Sequence, residues 1–593
     1  MSVLETPRIL FRGTMSWDPI VTNNLPPAYD EADATTVFNA GETVRAYRQA
    51  AIGNVASSVN WNPDGTHRSA FFNTTVSGVD LGQGVCTDDP LMGAPVSLLG
   101  MLVDAEPYGV FTSQLFFDAF SFGINGGCQV KAPRSMRVTS RQINFGRNLT
   151  YRYKAGVASV VWQTSFATAD GLKLFPHDSP ALQALAKALE DPAVIGLTLR
   201  WNSYRTLYFD SADTAQNPRL AKELADKLHL GGFQPNPARS DVVGVLGLWR
   251  QGEPANEPGD RALLNTENQT GPSIGAASAR LTGNSITLDL ANSISETGVD
   301  LTKQDLGPLS LVAVGADGKT VAANLGTLTY PMYDKAAYEA ASGIVVLSLD
   351  SAAASAAATN DIQLRGADGT VYLQEAAVRA YPLVPNLYID EGDTSQVQVQ
   401  VYDRGVPAGA GIEVTLAPVN PSTPVLGSVS TDASGLASFP ISGVQGQVEG
   451  YVILTGPDPV SNGIDPQTTT YLYIRTLPAD DNIAAMAPTW ANVHEFVLSN
   501  WQAMAPCMDN WLDLGSEAQV KAYGPLLRKL TDPGYFEGFR YMPVTRDLSK
   551  GCRSLLYAFL DGGAPTAKPK PGALKAAAPH KPTNAELSRA MRR

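Results

Sequence analysis

Histidine and cysteine are scarce in this chain of 593 residues, which has five histidines and four cysteines. No histidine stands in an H-E-x-x-H pattern, and no glutamate is followed three residues later by histidine. The E-x-x-H spacing places two ligands on one helix face, as carboxylate-bridged metal sites require. Its absence weighs against a di-iron site in this sequence. No two cysteines form C-x-x-C, which excludes a zinc ribbon or a thioredoxin-type motif.

Four cysteines are too few for a disulfide framework in a chain of this length, so we expect buried, reduced thiols. They are Cys86, Cys128, Cys507 and Cys552. The first residues contain no apolar segment typical of a signal peptide, and no apolar run approaches ~18 residues. We therefore expect cytoplasmic synthesis, with no signal peptide and no membrane span. Export by a signal-independent machine stays open.

Acidic residues outnumber basic residues, and the formal net charge is −13. An acidic surface disfavours binding to nucleic acid or to anionic membranes, so we expect no nucleic-acid partner. The C-terminal tail differs from the body. Residues 561–593 contain seven Lys and Arg against Asp561 and Glu586, a local charge of +5.

The composition predicts a folded, mainly β, multidomain protein. The chain is 44% hydrophobic and 17% charged, and its 53 glycines and 41 prolines provide many turns. We predict five segments: a mixed β-rich N-terminal domain with two or more helices (1–260), a β-sandwich (261–384), an immunoglobulin-like sandwich (385–478), a small helical domain (479–561), and a Pro/Ala/Lys-rich linker with a short helix (562–593).

In the N-terminal domain, Ser179 and Pro180 supply an N-cap and a first-turn proline for one helix. The leucines at 220, 224 and 228 predict a second helix. Residues 241–249 form a continuous apolar run, as in a strand buried on both faces. Residues 254–272 are polar and suggest a linker or a long loop.

Short strands follow. The turn sequences G-A-D-G at 315–318 and 366–369 predict two hairpins. Val397, Val399 and Val401 then alternate with glutamines, which is typical of a half-buried strand in an immunoglobulin-like sandwich.

After Pro478 the apolar period changes from two to 3.6 residues. Helical stripes follow at Trp490, Val493, Val497, Trp501 and Met504, and at Val520, Tyr523, Leu527 and Leu530. Pro525 predicts a kink in the second helix. A third helix is expected over residues 553–560.

His494 lies on the first of these helices and is our candidate cofactor ligand. A histidine here could serve as an axial haem ligand or as a general base. The alternative is an ordinary residue at the boundary of the apolar stripe.

The tail is our candidate for partner docking. Thr583 and Glu586 match a capping box that opens a helix at Leu587. The proposed docking residues are Leu587, Arg589, Met591, Arg592 and Arg593. A helix this short is marginal in water, so we expect it to become ordered against an apolar partner surface flanked by acidic groups.

Five stretches in order carry a family resemblance. They are residues 7–13 (PRILFRG), 189–198 (LEDPAVIGLT), 242–253 (VVGVLGLWRQGE), 477–481 (LPADD) and 541–549 (YMPVTRDLS). Together they resemble the N-terminal half of the iminophenylpyruvate dimer synthase family, which includes the violacein-pathway and chromopyrrolate synthases.

The resemblance implies a function. Family members oxidatively couple two imines derived from aromatic amino acids, haem is associated with them, and a C-terminal ferritin-like domain follows a Pro-rich linker. We expect this chain to act as a non-catalytic scaffold or subunit that needs a separate ferritin-like chain. The alternatives are a non-enzymatic interaction protein, such as an effector or toxin component delivered by a secretion system, and a haem-dependent oxidase.

Overall fold

The architecture is that of a computed structural model. It describes residues 2–17, 29–30, 35–36, 68–104, 113–144, 157–207, 238–265, 274–297, 302–419, 425–444, 448–456, 471–504 and 512–562. The mainly β, multidomain prediction is confirmed. Among the described residues, no helix has the length and hydropathy needed to cross a membrane.

The first sheet is antiparallel and contains eleven strands. In spatial order ten of them are Lys173–Phe175, Gln129–Pro133, Ser113–Gly123, Val96–Asp104, Arg68–Asp80, Arg8–Trp17, Ala238–Arg250, Val194–Leu207, Val157–Ala167 and Val138–Asn144. Val85–Cys86 pairs with Arg68–Asp80. The last strand of the path also pairs with Ser113–Gly123, so eight strands close into a ring.

Large apolar side chains fill the ring, including the stacked indoles of Trp162 and Trp201. The strand Ala238–Arg250 lies between two neighbours and contains the apolar run, as predicted. The helix Pro180–Ala188 packs Leu182 and Leu185 into the same core, and the Ser179 side chain caps it. The predicted helix at 220–228 lies outside the described residues.

The second sheet joins eight strands by hydrogen bonds in one path. They are Val321–Leu328, Leu309–Val314, Asp361–Arg365, Val371–Ala376, Arg261–Leu264, Ala277–Thr282, Ser285–Asp289 and Ile344–Ser348. Both predicted hairpins are present. The helices Lys335–Ala341 and Ser351–Thr359 connect strands of this sheet along the chain.

The prediction of a linker or long loop over residues 254–272 is wrong at Arg261–Leu264, because these residues form a fully buried strand. Its one charged residue, Arg261, is paired with the buried carboxylate of Glu375. Because the charge is paired, the strand can be buried although the sequence around it is polar.

Two sheets form the sandwich. One contains Val378–Pro382, Thr394–Asp403, Val406–Pro407 and Leu436–Ser442; the other contains Asn386–Asp390, Tyr471–Leu477, Val448–Thr455, Glu413–Pro418 and Gly427–Ser430. Val397, Val399 and Val401 face the core, while Gln396 is exposed. Strand pairing also brings Val378–Pro382, upstream of Pro385, into the sandwich.

The helical unit, residues 479–561, contains short helices. They are Asp481–Ala484, Trp490–Val493, a π-helical segment His494–Leu498, Ser499–Met504, Glu517–Ala522, Gly524–Leu530 and Lys550–Leu560. Val493 and Val497 are buried in its core, and the second predicted helix breaks at Tyr523, before Pro525.

The cysteines differ from expectation in one place. Cys552 is buried and Cys128 is partly buried, but Cys86 is exposed. Its two-residue strand Val85–Cys86 is exposed along its whole length. Cys507 lies outside the described residues.

Candidate functional site

The ring of His494 is engaged within the helical unit. Its Nε2 lies 2.8 Å from Oε1 of Gln502, and its centroid is 5.3 Å from the ring of Trp490. The side chain is partly buried. Ligation of haem iron through Nε2 would require loss of the Gln502 hydrogen bond. The assignment of His494 as a haem ligand stays a prediction, and so does the alternative of a residue at the boundary of the apolar stripe.

The docking residues Leu587, Arg589, Met591, Arg592 and Arg593 lie outside the described residues. Within the described ranges, no group of three or more His, Cys, Asp or Glu side chains is placed to hold a metal ion.

A cleft of about 500 Å³ lies where the first sheet, the sandwich and the helical unit meet. The first sheet contributes the loop Arg134–Arg137, between two of its strands. The sandwich contributes the strand Asn386–Asp390, and the helical unit contributes residues from Pro533 to Arg553. Three separate units thus supply the walls of one site.

Arg137 ties these three walls together. Its guanidinium donates hydrogen bonds to the backbone carbonyl of Asn386 and to the carboxylate of Glu537. The same group lies 5.5 Å from the ring centroids of both Phe116 and Tyr388. A cation fixed between two rings and two oxygen acceptors has little freedom to move.

Arg134 shares the same carboxylate. Its Nη1 lies 3.7 Å from Oε2 of Glu537 and also donates to the Glu537 backbone carbonyl. Burial lowers the pKa of Arg134, while the charge of Glu537 opposes that effect. Two arginines thus converge on one acidic side chain, which is itself 41% exposed.

Arg546 organises the wall that the helical unit provides. It is fully buried and donates to the backbone carbonyls of Phe536, Gly538, Tyr541 and Val544. Its cation lies 4.1 Å from the centroid of Phe116 in the first sheet. Burial lowers the pKa of Arg546 to about 10. The loop from Phe536 to Val544 is wrapped around one guanidinium.

Arg553 lines the cleft beside Tyr541. Burial raises the pKa of Tyr541 to about 12, and the positive charges of Arg553 and Arg546 oppose that shift. Within the part of the chain that the structure describes, no carboxylate lies within 4.0 Å of the Arg553 guanidinium. Arg553 is therefore a cation in the cleft wall without an acidic partner in those ranges.

Aromatic rings form the remaining wall. The centroid of Phe536 is 5.0 Å from that of Tyr388 and 5.2 Å from that of Tyr541. The side-chain amide of Gln114, in the first sheet, donates to the Tyr388 hydroxyl at 2.9 Å. Cations and aromatic faces thus line the same cavity.

Sequence reasoning did not identify this cleft. One signal was present: the stretch 541–549, which contributed to the family resemblance, contains Arg546 and is almost entirely buried. Arg546, within this largely uncharged stretch, could have been singled out as a structural arginine.

Comparison with known proteins gives a distant relative. No family model matches the chain. The 2-imino-3-(indol-3-yl)propanoate dimerase of Chromobacterium violaceum is 23% identical over an alignment of 645 positions, which covers 94% of this chain. The chain spans 58% of the length of that relative. The sequences are distantly related along nearly the whole of this chain.

Two solved structures show only weak similarity to this chain. The D0-D1 domain of intimin is 14% identical and covers 33% of this chain, with a TM-score of 0.14. A mutant of Salmonella alpha-2-macroglobulin is 11% identical and covers 65% of this chain, with a TM-score of 0.13.

Proposed function

We propose that this chain is a non-catalytic scaffold or subunit related to the imine dimerases, which acts with a ferritin-like chain outside these 593 residues. The reaction served would be the oxidative coupling of two imines derived from an aromatic amino acid. The similarity to the Chromobacterium violaceum dimerase, over 94% of the chain, carries this proposal. Relatedness across all the units argues that they are retained as one assembly.

Contacts between the units support a scaffold. Arg200 of the first sheet lies 2.5 Å from Asp289 of the second, and both side chains are buried. The Tyr471 hydroxyl of the sandwich donates to the backbone carbonyl of Ser140 in the first sheet at 3.0 Å. Buried polar contacts of this kind favour one defined arrangement, because each is costly to leave unmade.

The helical unit is fixed in the same way. Arg475 of the sandwich donates to the carbonyl of Thr545 at 3.2 Å. Asp118 of the first sheet accepts a hydrogen bond from the backbone N–H of Phe539 at 2.8 Å. Units joined by such contacts are suited to position a second chain.

The chemistry is assigned to the partner. Coupling two imines by a new bond removes two electrons and two protons, so an oxidant and a centre to activate it are needed. We assign that centre to the ferritin-like chain. The basic tail, in which the sequence predicts a helix with Leu587 and Met591 on one face, is the proposed docking element.

Complex formation tests the proposal. The purified chain is mixed with the ferritin-like chain encoded nearest to it, and the mass of the complex is measured by size-exclusion chromatography with light scattering. We expect a stable complex that is lost when residues 562–593 are deleted, with the melting temperature unchanged. No complex with the full chain would contradict the proposal. A complex that still forms after the deletion would show that the tail is not the docking element.

A further inference from the structure

We propose that the cleft between the Arg134–Arg137 loop, Tyr388 and the segment from Phe536 to Arg553 binds a phosphate monoester that carries a planar ring, such as a nucleotide. The arginines of the wall hold the phosphate, and the aromatic side chains hold the ring. This site lies outside the scaffold function, and it does not depend on the ferritin-like chain. The inference rests on the volume of the cleft, its excess of positive charge, the position of Arg553 and the aromatic wall.

The volume of the cleft suits a ligand of this size. A cavity of about 500 Å³ falls within the range of roughly 300–1,000 Å³ that is usual for small-molecule sites. Hydrogen bonds join the three units that supply its walls: Arg137 donates to the carbonyl of Asn386, and the backbone N–H of Phe539 donates to Asp118. The site is therefore preformed, which lowers the entropy lost on binding.

Positive charge exceeds negative charge around the cleft. Four arginines lie in the wall or directly behind it, against two carboxylates that line it. The arginines are Arg134, Arg137, Arg553 and the buried Arg546, and the carboxylates are those of Glu537 and Asp390. The neighbouring ion pair of Lys550 and Asp393 adds no net charge, so the wall has an excess of two positive charges. A phosphate monoester carries about −1.5 to −2 at neutral pH, which matches this excess, whereas a single carboxylate would compensate only half of it.

Arg553 is the arginine that is available to an anion. It lies in the first turn of the helix Lys550–Leu560, whose start is capped by the Ser549 side chain. Its backbone N–H donates to the carbonyl of Ser549 at 3.0 Å, so the base of the side chain is fixed. Among the residues that the structure describes, no carboxylate lies within 4.0 Å of its guanidinium. The Arg553 cation can therefore bind an anion in the cleft without breaking an ion pair.

The positions of the arginines favour a phosphate over a carboxylate. Arg134 and Arg137 reach the cleft from the first sheet, and Arg553 reaches it from the helical unit. The carboxylate of Glu537, which accepts a hydrogen bond from Arg137 and lies 3.7 Å from Nη1 of Arg134, shows that the first pair binds anionic oxygens. A phosphate monoester has three terminal oxygens that point in different directions, so one phosphate can bind guanidinium groups of both units. The two oxygens of a carboxylate lie in one plane and match one guanidinium best.

The aromatic wall selects the rest of the ligand. Tyr388, Phe536 and Tyr541 line the cavity and form a chain of ring contacts. Leu387 and Leu548 add apolar surface to the same cavity. A planar ring, such as a nucleobase or a flavin, packs favourably against such faces, whereas inorganic phosphate leaves them unused.

Calorimetric titration of the full chain tests the proposal with the wild-type protein alone, so it does not depend on the folding of any variant. AMP and FMN carry both the ring and the phosphate. Adenosine and riboflavin lack the phosphate, inorganic phosphate lacks the ring, and benzoate joins a ring to a single negative charge. We expect AMP, FMN or both to bind at least about tenfold more tightly than each of the other four compounds. The tighter of the two identifies the kind of ring that the cavity accommodates.

Variants locate the site. Arg553→Gln should weaken binding of the tighter phosphate ligand about tenfold or more, a loss of about 1.4 kcal/mol. Arg553→Lys, which keeps the charge but not the planar set of donors, should recover part of that loss. The control is Arg540→Gln, which makes the same change at an exposed residue of the neighbouring loop that does not line the cleft, and it should leave binding unchanged.

The proposal is overturned by any of three results. The first is no measurable binding of either AMP or FMN. The second is binding of a compound without the phosphate, of inorganic phosphate or of benzoate that is as tight as binding of the better phosphate ligand. The third is an equal loss of binding in Arg553→Gln and Arg540→Gln.

Discussion

Arg141 and Glu257 form a buried ion pair, with 2.5 Å between Nε of the first and Oε1 of the second. The Arg141 cation also lies 4.7 Å from the ring centroid of Tyr471. Arg141 belongs to the first sheet, Glu257 to the connection that leads to the second, and Tyr471 to the sandwich. Two units and the connection to a third therefore meet around one pair of charges, and protonation of Glu257 should affect the stability of the assembly.

The pH dependence of stability should change in Glu257→Gln. Burial raises the pKa of Glu257 from 4.5 to about 7, although Arg141 and Arg379 lower it. Between these values the folded protein holds a proton that the unfolded chain releases, so this group destabilises the fold as the pH rises from about 4.5 through about 7. Glu257→Gln should remove up to about 3 kcal/mol of that decline.

Urea unfolding of both proteins at several pH values between 4.5 and 8 measures the effect. Parallel stability profiles for the wild type and Glu257→Gln would contradict it.

Val399→Asp should unfold the sandwich. Val399 is fully buried in the sandwich core, and burying an unpaired carboxylate costs several kcal/mol, against a typical domain stability of roughly 5–15 kcal/mol. Gln396→Asp is the control, since it introduces the same group at an exposed position of the same strand. Calorimetry should show a lost or strongly lowered transition for the first variant only. Equal melting of the two variants would contradict the burial of Val399 in the sandwich core.

Arg546→Met should destabilise the helical unit by at least about 3 kcal/mol, because it removes the guanidinium that donates to four backbone carbonyls, of which the bonds to Tyr541 and Val544 are buried. Arg546→Lys should fail to restore stability, since one ammonium cannot reach the same set of acceptors as a guanidinium. Arg540→Met, at an exposed position of the same loop, is the control. Thermal melting decides, and full recovery by lysine would mean that only the charge matters.

Haem titration should not distinguish His494→Ala from the wild type. Gln502 engages the Nε2 of His494 and Trp490 packs against its ring, so a packing role predicts the same absorbance spectrum for both proteins. Gln502→Ala is a companion variant that frees the nitrogen. A haem band that His494→Ala abolishes and Gln502→Ala strengthens would instead establish His494 as a ligand.

Local patterns predicted the local structure. The alternation at Val397, Val399 and Val401 gave the buried face of its strand, and the cap at Ser179 gave the start of its helix. Each of these features depends on neighbouring residues, where side-chain period and capping chemistry act directly.

Long-range structure was not predictable in this way. Closure of the first sheet depends on pairing between Gln114 and Thr139 and between Leu115 and Val138, and no local pattern encodes it. The cleft brings Arg137 to Tyr388 and Glu537, which are far apart in the sequence. Such a site appears only once the units are packed together.

One measurement tests the central claim most directly. 2-Imino-3-(indol-3-yl)propanoate is generated in situ from L-tryptophan by an amino-acid oxidase, and the coupled dimer is quantified by liquid chromatography and mass spectrometry. The reaction contains this chain, its neighbouring ferritin-like chain, or both. We predict dimer above the background only when both chains are present. Dimer formed by this chain alone, at the rate of the mixture, would contradict a non-catalytic scaffold, and no dimer from a mixture that forms the complex would contradict its place in the reaction.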